Sequence, residues 1–354
     1  MRHYIFISLF LFTSSLLVAE TATSGKIFGS RTGLVDKSMN PAISINGLFL
    51  GSYGTAQEKT GLRLQEVEAA FSAAVDPYFF ANIILTSEGG EAVTPEEAYV
   101  ITLSIPMVTI KAGKFLANFG KNNLIHTHAQ PLIDRPIVNK SLLGDEGLNS
   151  VGVQAALLVP VSWYMEFTLA GMSGSQTSLF ANTSDESLFG VARLENLFDL
   201  NDETTLSLGV SYSMGDNQFH NVSHFGGADT TLKYVSGKGK GEFAIAWTNE
   251  YIRSKRTSYS VLSEWEDAWG LSSTVLVRLS PRFWTGGRFD YTNITLDGSQ
   301  KTKGENLVFA FVPSEFSAIR LQTGLIQPST GGKSQWQALV QYNMTIGSHP
   351  AHAY

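Results

Sequence analysis

Three pairs of histidines have spacings at which two imidazoles could share one metal ion. They are His126 with His128, His220 with His224, and His349 with His352. Neutral imidazole is a common Zn²⁺ ligand, and zinc sites combine it with sulfur or carboxylate ligands. No acidic or third ligand lies beside these pairs in the sequence. We therefore expect no cofactor, and the alternative is zinc at His126 and His128, with Asp134 or a residue of the surrounding wall as a further ligand.

Motifs for catalysis are missing from this sequence. Serine and histidine are both present, but no Gly-x-Ser-x-Gly turn, HExxH helix, phosphate-binding loop or dinucleotide fingerprint occurs. The chain has no cysteine, which excludes a thiolate nucleophile and a disulfide framework. The sequence predicts that the protein is not an enzyme.

The first nineteen residues have the pattern of a secretory signal peptide. Arg2 and His3 precede an apolar run over residues 4–12, and Leu17-Val18-Ala19 offers a cleavage site. A retained membrane anchor is less favoured because the run is shorter than the roughly 20 residues that a spanning helix needs. We expect export, with residues 20–41 as a lead-in to the folded part.

Composition narrows the class of protein further. Charged residues are only 16%, aromatic residues 11%, and there are 33 glycines. Soluble domains carry about 25% charged residues. The net charge of −6 argues against a nucleic-acid partner. Strands that show one face to lipid and the other to water have this balance.

Alternating apolar and polar residues recur from about residue 42 to the end of the chain. This period of two predicts about sixteen strands, in a range of about 14–18. Their centres are Ile45, Val67, Ile83, Val100, Ile110, Val153, Phe167, Leu194, Leu208, Leu232, Ile245, Val275, Gly287, Phe309, Leu321 and Val340. Short connections alternate with long polar loops. We predict an all-β fold, a transmembrane antiparallel β-barrel over residues 42–354; a β-sandwich is the alternative.

The longest connection, residues 116–148, follows the fifth predicted strand. It contains many apolar residues, among them Leu132, Ile133, Val138 and Leu142, which need a surface to bury against. Such a long loop in a compact fold is usually functional or disordered. Because the barrel wall is the nearest surface, we expect this loop to fold into the lumen and narrow it.

Parts of this sequence resemble a known family. The stretches over residues 96–100, 111–154 and 346–354 are similar to a widespread family of porin-like outer-membrane proteins, whose members are often labelled zinc-regulated TonB-dependent outer membrane receptors. The resemblance implies a bacterial outer-membrane barrel, and general porins with a similar loop are usually homotrimers. A plugged 22-stranded receptor does not fit this chain length.

Successive side chains of a strand point to opposite faces, so the outward apolar residues indicate which charged side chains face the lumen. On the strands these are Glu66, Glu68, Lys111, Arg193, Arg278, Arg288 and Arg320, and the long loop adds Asp134, Arg135, Lys140, Asp145 and Glu146. Opposed charges across a pore produce a field that favours polar solutes. The alternative interpretation is that these groups only bond the loop to the wall.

The sequence as a whole predicts a porin-like channel for passive diffusion of small hydrophilic solutes or ions. Its expected partners are outer-membrane lipid, the solutes, the barrel assembly machinery and further copies of itself in a homotrimer. Two alternatives stay open: a non-conducting barrel that acts as an adhesin or receptor through its outer loops, and a metal-responsive uptake channel.

Overall fold

The computed structural model describes residues 41–57, 60–174, 180, 187–217, 221–236, 243–257, 265–294, 300–328 and 332–347. The predicted signal peptide, most of the lead-in and the last residues of the chain lie outside this part. Within the described part, no helix has the length and hydropathy of a membrane-spanning helix.

Sixteen strands and one α-helix make up the regular structure of the described residues. The first eight strands are β1 Ala42–Gly54, β2 Gly61–Ala74, β3 Phe79–Glu88, β4 Thr94–Thr102, β5 Val108–Leu116, β6 Asn149–Leu158, β7 Tyr164–Ser173 and β8 Leu188–Asn201. The others are β9 Thr204–Asp216, β10 Val222–Val235, β11 Ala244–Thr257, β12 Trp265–Ser280, β13 Phe283–Ile294, β14 Gln300–Ser314, β15 Ser317–Pro328 and β16 Gln335–Gly347. Two 3-10 helices, Asn122–Leu124 and Thr127–Ala129, and helix α1, Ile137–Leu143, lie between β5 and β6.

The strands form one closed antiparallel barrel. Each strand pairs with its neighbours in the chain, and β1 pairs with β16 through a register that places Phe49 opposite Tyr342. Closure leaves no strand edge unpaired, which solves the backbone hydrogen-bonding problem of an exposed sheet. The predicted fold class is confirmed, and every predicted strand centre falls within a strand.

Side chains alternate between the two faces of the wall, as a period of two requires. Leu208 is 40% exposed, while its neighbour Ser207 is 8% exposed. Val153 and Gln154 show the same contrast, at 55% and 7%. The outer face is therefore apolar and the inner face polar.

Between β5 and β6 the chain leaves the wall and crosses the lumen. This inserted loop, residues 117–148, buries Phe119, Val138 and Leu142 against inward residues of the wall such as Phe225 and Ile252. Burial of one such side chain stabilises a fold by about 1.5–3 kcal/mol. Part of the lumen is thus packed like the core of a soluble domain, which explains the apolar content of the loop.

Candidate pore constriction

The two ends of the inserted loop are joined by one carboxamide. The Asn123 side chain donates hydrogen bonds to the backbone oxygens of Ala117, at 2.8 Å, and of Leu148, at 3.3 Å. Its own oxygen accepts the backbone N–H of Leu148 at 2.8 Å. Asn123 is 1% exposed. The loop is therefore closed at its base and enters the lumen as a unit.

On the far wall the loop is held by Glu250 of β11. This carboxylate accepts the backbone N–H groups of Lys121 at 2.8 Å and Asn122 at 3.4 Å. It also accepts the side-chain amides of Asn122 at 2.5 Å and Asn139 at 3.0 Å. The backbone of Gly120 has φ +65°, and a Cβ there would lie 1.9 Å from Glu250 Oε1. Only glycine fits at this position, because any other residue would be strained at a positive φ and its Cβ would clash with the Glu250 carboxylate.

Helix α1 packs onto the inner face of β11, β12 and β13. Its Val138 fits against Gly270 of β12, where an added Cβ would lie 2.6 Å from Val138 Cγ2. The opposite face of the helix carries Lys140, which pairs with Asp145 at 3.3 Å. Because these two side chains are 50% and 86% exposed, this side of the loop is open to water.

Two buried arginines hold the middle of the loop, in a cluster that we call the arginine anchor: Arg288 and Arg320 of the wall with Gln130 and Asp134 of the loop. Arg288 donates to the carboxylate of Asp134 at 2.8 Å and to its backbone oxygen at 2.7 Å. Arg320 donates to the backbone oxygen of Gln130. Arg288 also pairs with Asp290 at 2.6 Å.

Neutral amides complete the arginine anchor. Gln322 and Gln337 donate to the Asp134 carboxylate at 2.8 and 3.2 Å, and Gln322 accepts the backbone N–H of Ile133 at 2.7 Å. Burial alone would raise the pKa of Asp134, but the charge of Arg288 and the amide hydrogen bonds hold that pKa below its usual value. Asp134 therefore stays ionised and attached to this wall.

A second cluster, the acidic anchor, holds the loop to a neighbouring part of the wall, which only β16 and β1 separate from β15: Glu68 of β2 and Glu96 and Glu97 of β4, with His126 and His128 of the loop. His126 Nδ1 lies 3.2 Å from Glu96 Oε1 and 3.7 Å from Glu68 Oε2, while its Nε2 lies 3.2 Å from Glu97 Oε2. His128 Nδ1 lies 2.9 Å from Glu68 Oε2.

A β-bulge allows two consecutive glutamates to reach His126. Ile84 of β3 pairs with Glu97, whereas Leu85 pairs with Pro95, so Glu96 is an extra residue without a partner in the register. Such a bulge turns a side chain away from strict alternation. Burial alone would lower the pKa of His126, but its contacts with Glu96 and Glu97 reverse the effect and hold that pKa well above its usual value.

The structure distributes the predicted lumen residues among several surroundings. Asp134, Arg288 and Arg320 form the arginine anchor, Glu68 belongs to the acidic anchor and Glu66 lies beside it. Arg135 donates to the backbone oxygen of Ile125, and Lys140, Asp145 and Glu146 are exposed. These charges mainly join the loop to the wall or face water at its surface.

Of the remaining predicted residues, Lys111 and Arg278 lie near the short-turn ends of β5 and β12, whereas Arg193 lies near the middle of β8. Arg193 forms a buried pair with Asp229 at 2.5 Å, Lys111 lies over the ring of Tyr99, and Arg278 lies over the ring of Trp284. Glu195, 3.6 Å from Arg193, keeps its side chain 25% exposed. Arg193 also reaches the inserted loop through Ser211: it donates to Ser211 Oγ at 3.0 Å, and that oxygen accepts the backbone N–H of Gly120 at 3.0 Å.

Sequence reasoning was wrong about one detail of the histidines and missed several partners. Asp134 was considered as a third ligand of His126 and His128, but it is bonded to Arg288. The glutamates of β4 and Glu250 were not identified, because the bulge and long-range pairing are not visible in a local pattern.

His224 faces outward and contacts the Tyr212 hydroxyl at 2.7 Å. His220, His349 and His352 lie outside the described residues.

Comparison with known proteins places the fold among bacterial barrels. No family model matches the chain. An uncharacterised protein of Aquifex aeolicus is 29% identical over 346 residues, covering 85% of this chain and 72% of the relative. The anion-selective porin from Comamonas acidovorans has a TM-score of 0.59 at 10% identity, covering 87% of this chain and 100% of that one. OmpT of Vibrio cholerae, described as outer-membrane expressed, has a TM-score of 0.61 at 8% identity, covering 88% and 99%.

Proposed function

We propose that this protein is an outer-membrane channel for passive diffusion of small hydrophilic solutes or ions. The observation that carries the proposal is a loop fixed across the lumen of a closed, polar-lined barrel by Glu250, the arginine anchor and the acidic anchor. A constriction held on several sides has a defined shape, and defined pore dimensions are what select solutes by size and charge.

Membrane embedding is supported by the outer face of the barrel. Large apolar side chains point outward along the strands, and aromatic rings lie beside the short connections: Tyr78 is 60% exposed, Trp163 39% and Phe283 40%. Rings at such positions form the interfacial girdle of outer-membrane barrels. A barrel of this kind in a Gram-negative cell is inserted by the barrel assembly machinery.

A pair of arginine substitutions one residue apart tests the embedding. Leu208→Arg places charge on the outer face, where an arginine at the midplane of the bilayer costs about 2–4 kcal/mol. Ser207→Arg places the same group in the lumen beside Glu195, whose carboxylate lies 3.4 Å from the Ser207 hydroxyl. Folding yield into lipid vesicles should fall for the first variant only. Equal yields would argue against a lipid-facing outer surface.

Water-exposed charges on the loop and in the lumen favour a conducting barrel over a filled one. Lys140 and Asp145 are exposed on the loop, and Glu195 is partly exposed nearer the short-turn end. If packing filled the lumen completely, charged groups inside it would be buried, and buried unpaired charges are energetically costly. The anion-selective porin that shares this fold supports a channel role by its own description.

Removal of the constriction is the direct test. Asn123 and Gly147 are adjacent, since a Cβ on Gly147 would lie 2.3 Å from Asn123 Oδ1. Residues 124–146 can therefore be replaced by a short Gly-Ser linker without opening the base of the loop. In planar bilayers the wild-type protein should show discrete conductance steps, and the replacement should show larger ones. Ser141→Ala, an exposed change in the same loop, is the control and should leave the steps unchanged.

The same measurement separates the alternative functions. A silent wild type with a conducting loop-replacement variant would mean that the loop closes the lumen, which favours the adhesin or receptor alternative. Identical conductance in both proteins would mean that the loop does not form the narrowest section. Either result would overturn the proposal in its present form.

A further inference from the structure

We propose that the acidic anchor is a binding site for a divalent metal ion of the zinc type, with Glu68 as its central ligand. The inference rests on side-chain geometry, and binding itself does not require the proposed channel function. It extends the two histidines of the sequence pattern to a set of ligands from two strands and the inserted loop.

Five side chains, four from the acidic anchor and the neighbouring Glu66, supply the donor atoms in two overlapping groups. Glu68, Glu96 and His126 form one group, and Glu66, Glu68 and His128 form the other. Within each group the potential ligand atoms lie within 4.8 Å of one another. A mixture of imidazole nitrogen and carboxylate oxygen favours zinc and related transition metals over Ca²⁺ and Mg²⁺, which prefer oxygen alone.

Unsatisfied buried atoms point into this cluster. Glu66 is 4% exposed, and its Oε1 has no hydrogen-bond partner among the described residues. Glu96 Oε2 is also buried without a hydrogen bond. Buried polar groups are nearly always paired, and an unpaired one is costly. A cation bound among Glu66, Glu68 and His128 would supply the missing partner of the buried Glu66 carboxylate.

Glu97 acts as a positioning residue for His126. It contacts Nε2 of the ring at 3.2 Å, which leaves Nδ1 facing Glu68 and Glu96. Glu97 is itself held by the backbone N–H of Leu116 at 2.8 Å. A carboxylate on the distal nitrogen of a histidine is the usual outer partner in metal sites, where it fixes the ring orientation and the tautomer.

The charge balance of the cluster also favours a cation. Four glutamates, Glu66, Glu68, Glu96 and Glu97, converge on two histidines within the wall and loop. The permanent cations near these carboxylates are Arg135 and Lys111, so with neutral histidines the four ionised glutamates exceed the positive charges by two. Since the ligands come from both wall and loop, a bound ion would add a further attachment between the loop and β2–β4.

Calorimetric titration with Zn²⁺ alone tests this site. The full-length protein, folded in detergent micelles and freed of metal by EDTA and buffer exchange, should bind zinc saturably and unfold at a higher temperature with zinc present. Glu68→Gln should abolish saturable binding, and Glu97→Gln should weaken it by about 10–100-fold. His224→Ala is the matched control, because that histidine lies on the outer face.

Several outcomes would overturn the proposal. They are an absence of saturable binding to the wild type, equal binding to Glu68→Gln, or displacement of zinc by a modest excess of Ca²⁺ or Mg²⁺. If Glu68→Gln does not fold, the double variant His126→Ala, His128→Ala must lose binding instead. Calorimetry in micelles does not depend on conductance, so a failed metal site and a failed channel function give separate results.

Discussion

The inserted loop is attached to the barrel by two ionic clusters that are built in opposite ways. In the arginine anchor the wall supplies the cations, Arg288 and Arg320, and the loop supplies one carboxylate and backbone oxygens. In the acidic anchor the wall supplies several carboxylates and the loop supplies imidazoles. Both are largely buried, but in the acidic anchor the three carboxylates outnumber the permanent cations near them, Arg135 and Lys111.

This difference separates two kinds of attachment. Guanidinium keeps its charge at every pH that a protein meets, and its planar donors match carboxylate and carbonyl acceptors. The arginine anchor is therefore a fixed point. The acidic anchor has more carboxylates than cations, and its balance depends on what else binds there. We expect the first to determine where the loop lies and the second to determine how firmly its histidine segment is held.

Breaking the arginine anchor should have the largest effect. Arg288→Met removes the main partner of the buried carboxylate of Asp290 and of the half-buried carboxylate of Asp134, and removal of one partner from a buried pair costs about 3–5 kcal/mol. The variant should unfold at a lower temperature and show noisier, larger conductance steps. Thermal unfolding in micelles and bilayer recording measure the two effects.

A matched control exists for that substitution. Arg278→Met removes another inward arginine, which lies over the ring of Trp284. Arg278→Met should lower the unfolding temperature much less than Arg288→Met does, and it should leave the conductance noise unchanged. Similar results for both arginines would show that any lumen charge matters equally, and the distinction between the anchors would be lost.

Within the acidic anchor a single substitution should have an intermediate effect. Glu97→Gln keeps an oxygen for the backbone N–H of Leu116 but removes the charge next to His126. The loss of one charged hydrogen bond should cost roughly 1–3 kcal/mol, since Glu68 and Glu96 still contact the ring. Unfolding in EDTA measures it. A loss of stability as large as that of Arg288→Met would mean that Glu68 and Glu96 do not compensate for the charge removed at Glu97.

The smallest effect should come from the exposed pair on the loop surface. Lys140→Ala removes the contact with Asp145, whose side chain is 86% exposed. Ion pairs in water contribute little because solvent screens them. The unfolding temperature should not change measurably. A clear decrease would show that the loop surface is less solvated than its exposure indicates, and that the two buried anchors do not dominate its attachment.

The strands were predictable from the sequence because their signal is local. One face of every strand meets an apolar environment and the other a polar one, so a window of several residues around Leu208 or Leu321 contains the whole pattern. The closed order of strands then follows from antiparallel neighbours and an even count. The inward burial of the loop was also predictable, because Val138 and Leu142 need a surface.

The partners of the loop were not predictable in the same way. His126 contacts Glu97 and Glu68, which lie on strands earlier in the chain, and no sequence pattern links a loop residue to the wall residues that it contacts. The alternation of side chains between the two faces is interrupted at a bulge, so it could not assign both Glu96 and Glu97 to the lumen. The adjacent pair of glutamates was the signal available, since two consecutive charges are unusual in an alternating strand.

The contacts of the loop span most of the chain, and this determines when they can form. Ile133 bonds to Gln322, 189 residues later, and Arg320 reaches Gln130 across 190 residues. Contacts between distant residues form late because closing long segments of chain is entropically costly. Val138 can pack on β11–β13 earlier, but the loop cannot finish docking until β15 and β16 have joined the sheet, because Ile133 packs against Leu339 of β16. Completion of the interior and closure of β1 on β16 are thus events of the same final stage of assembly.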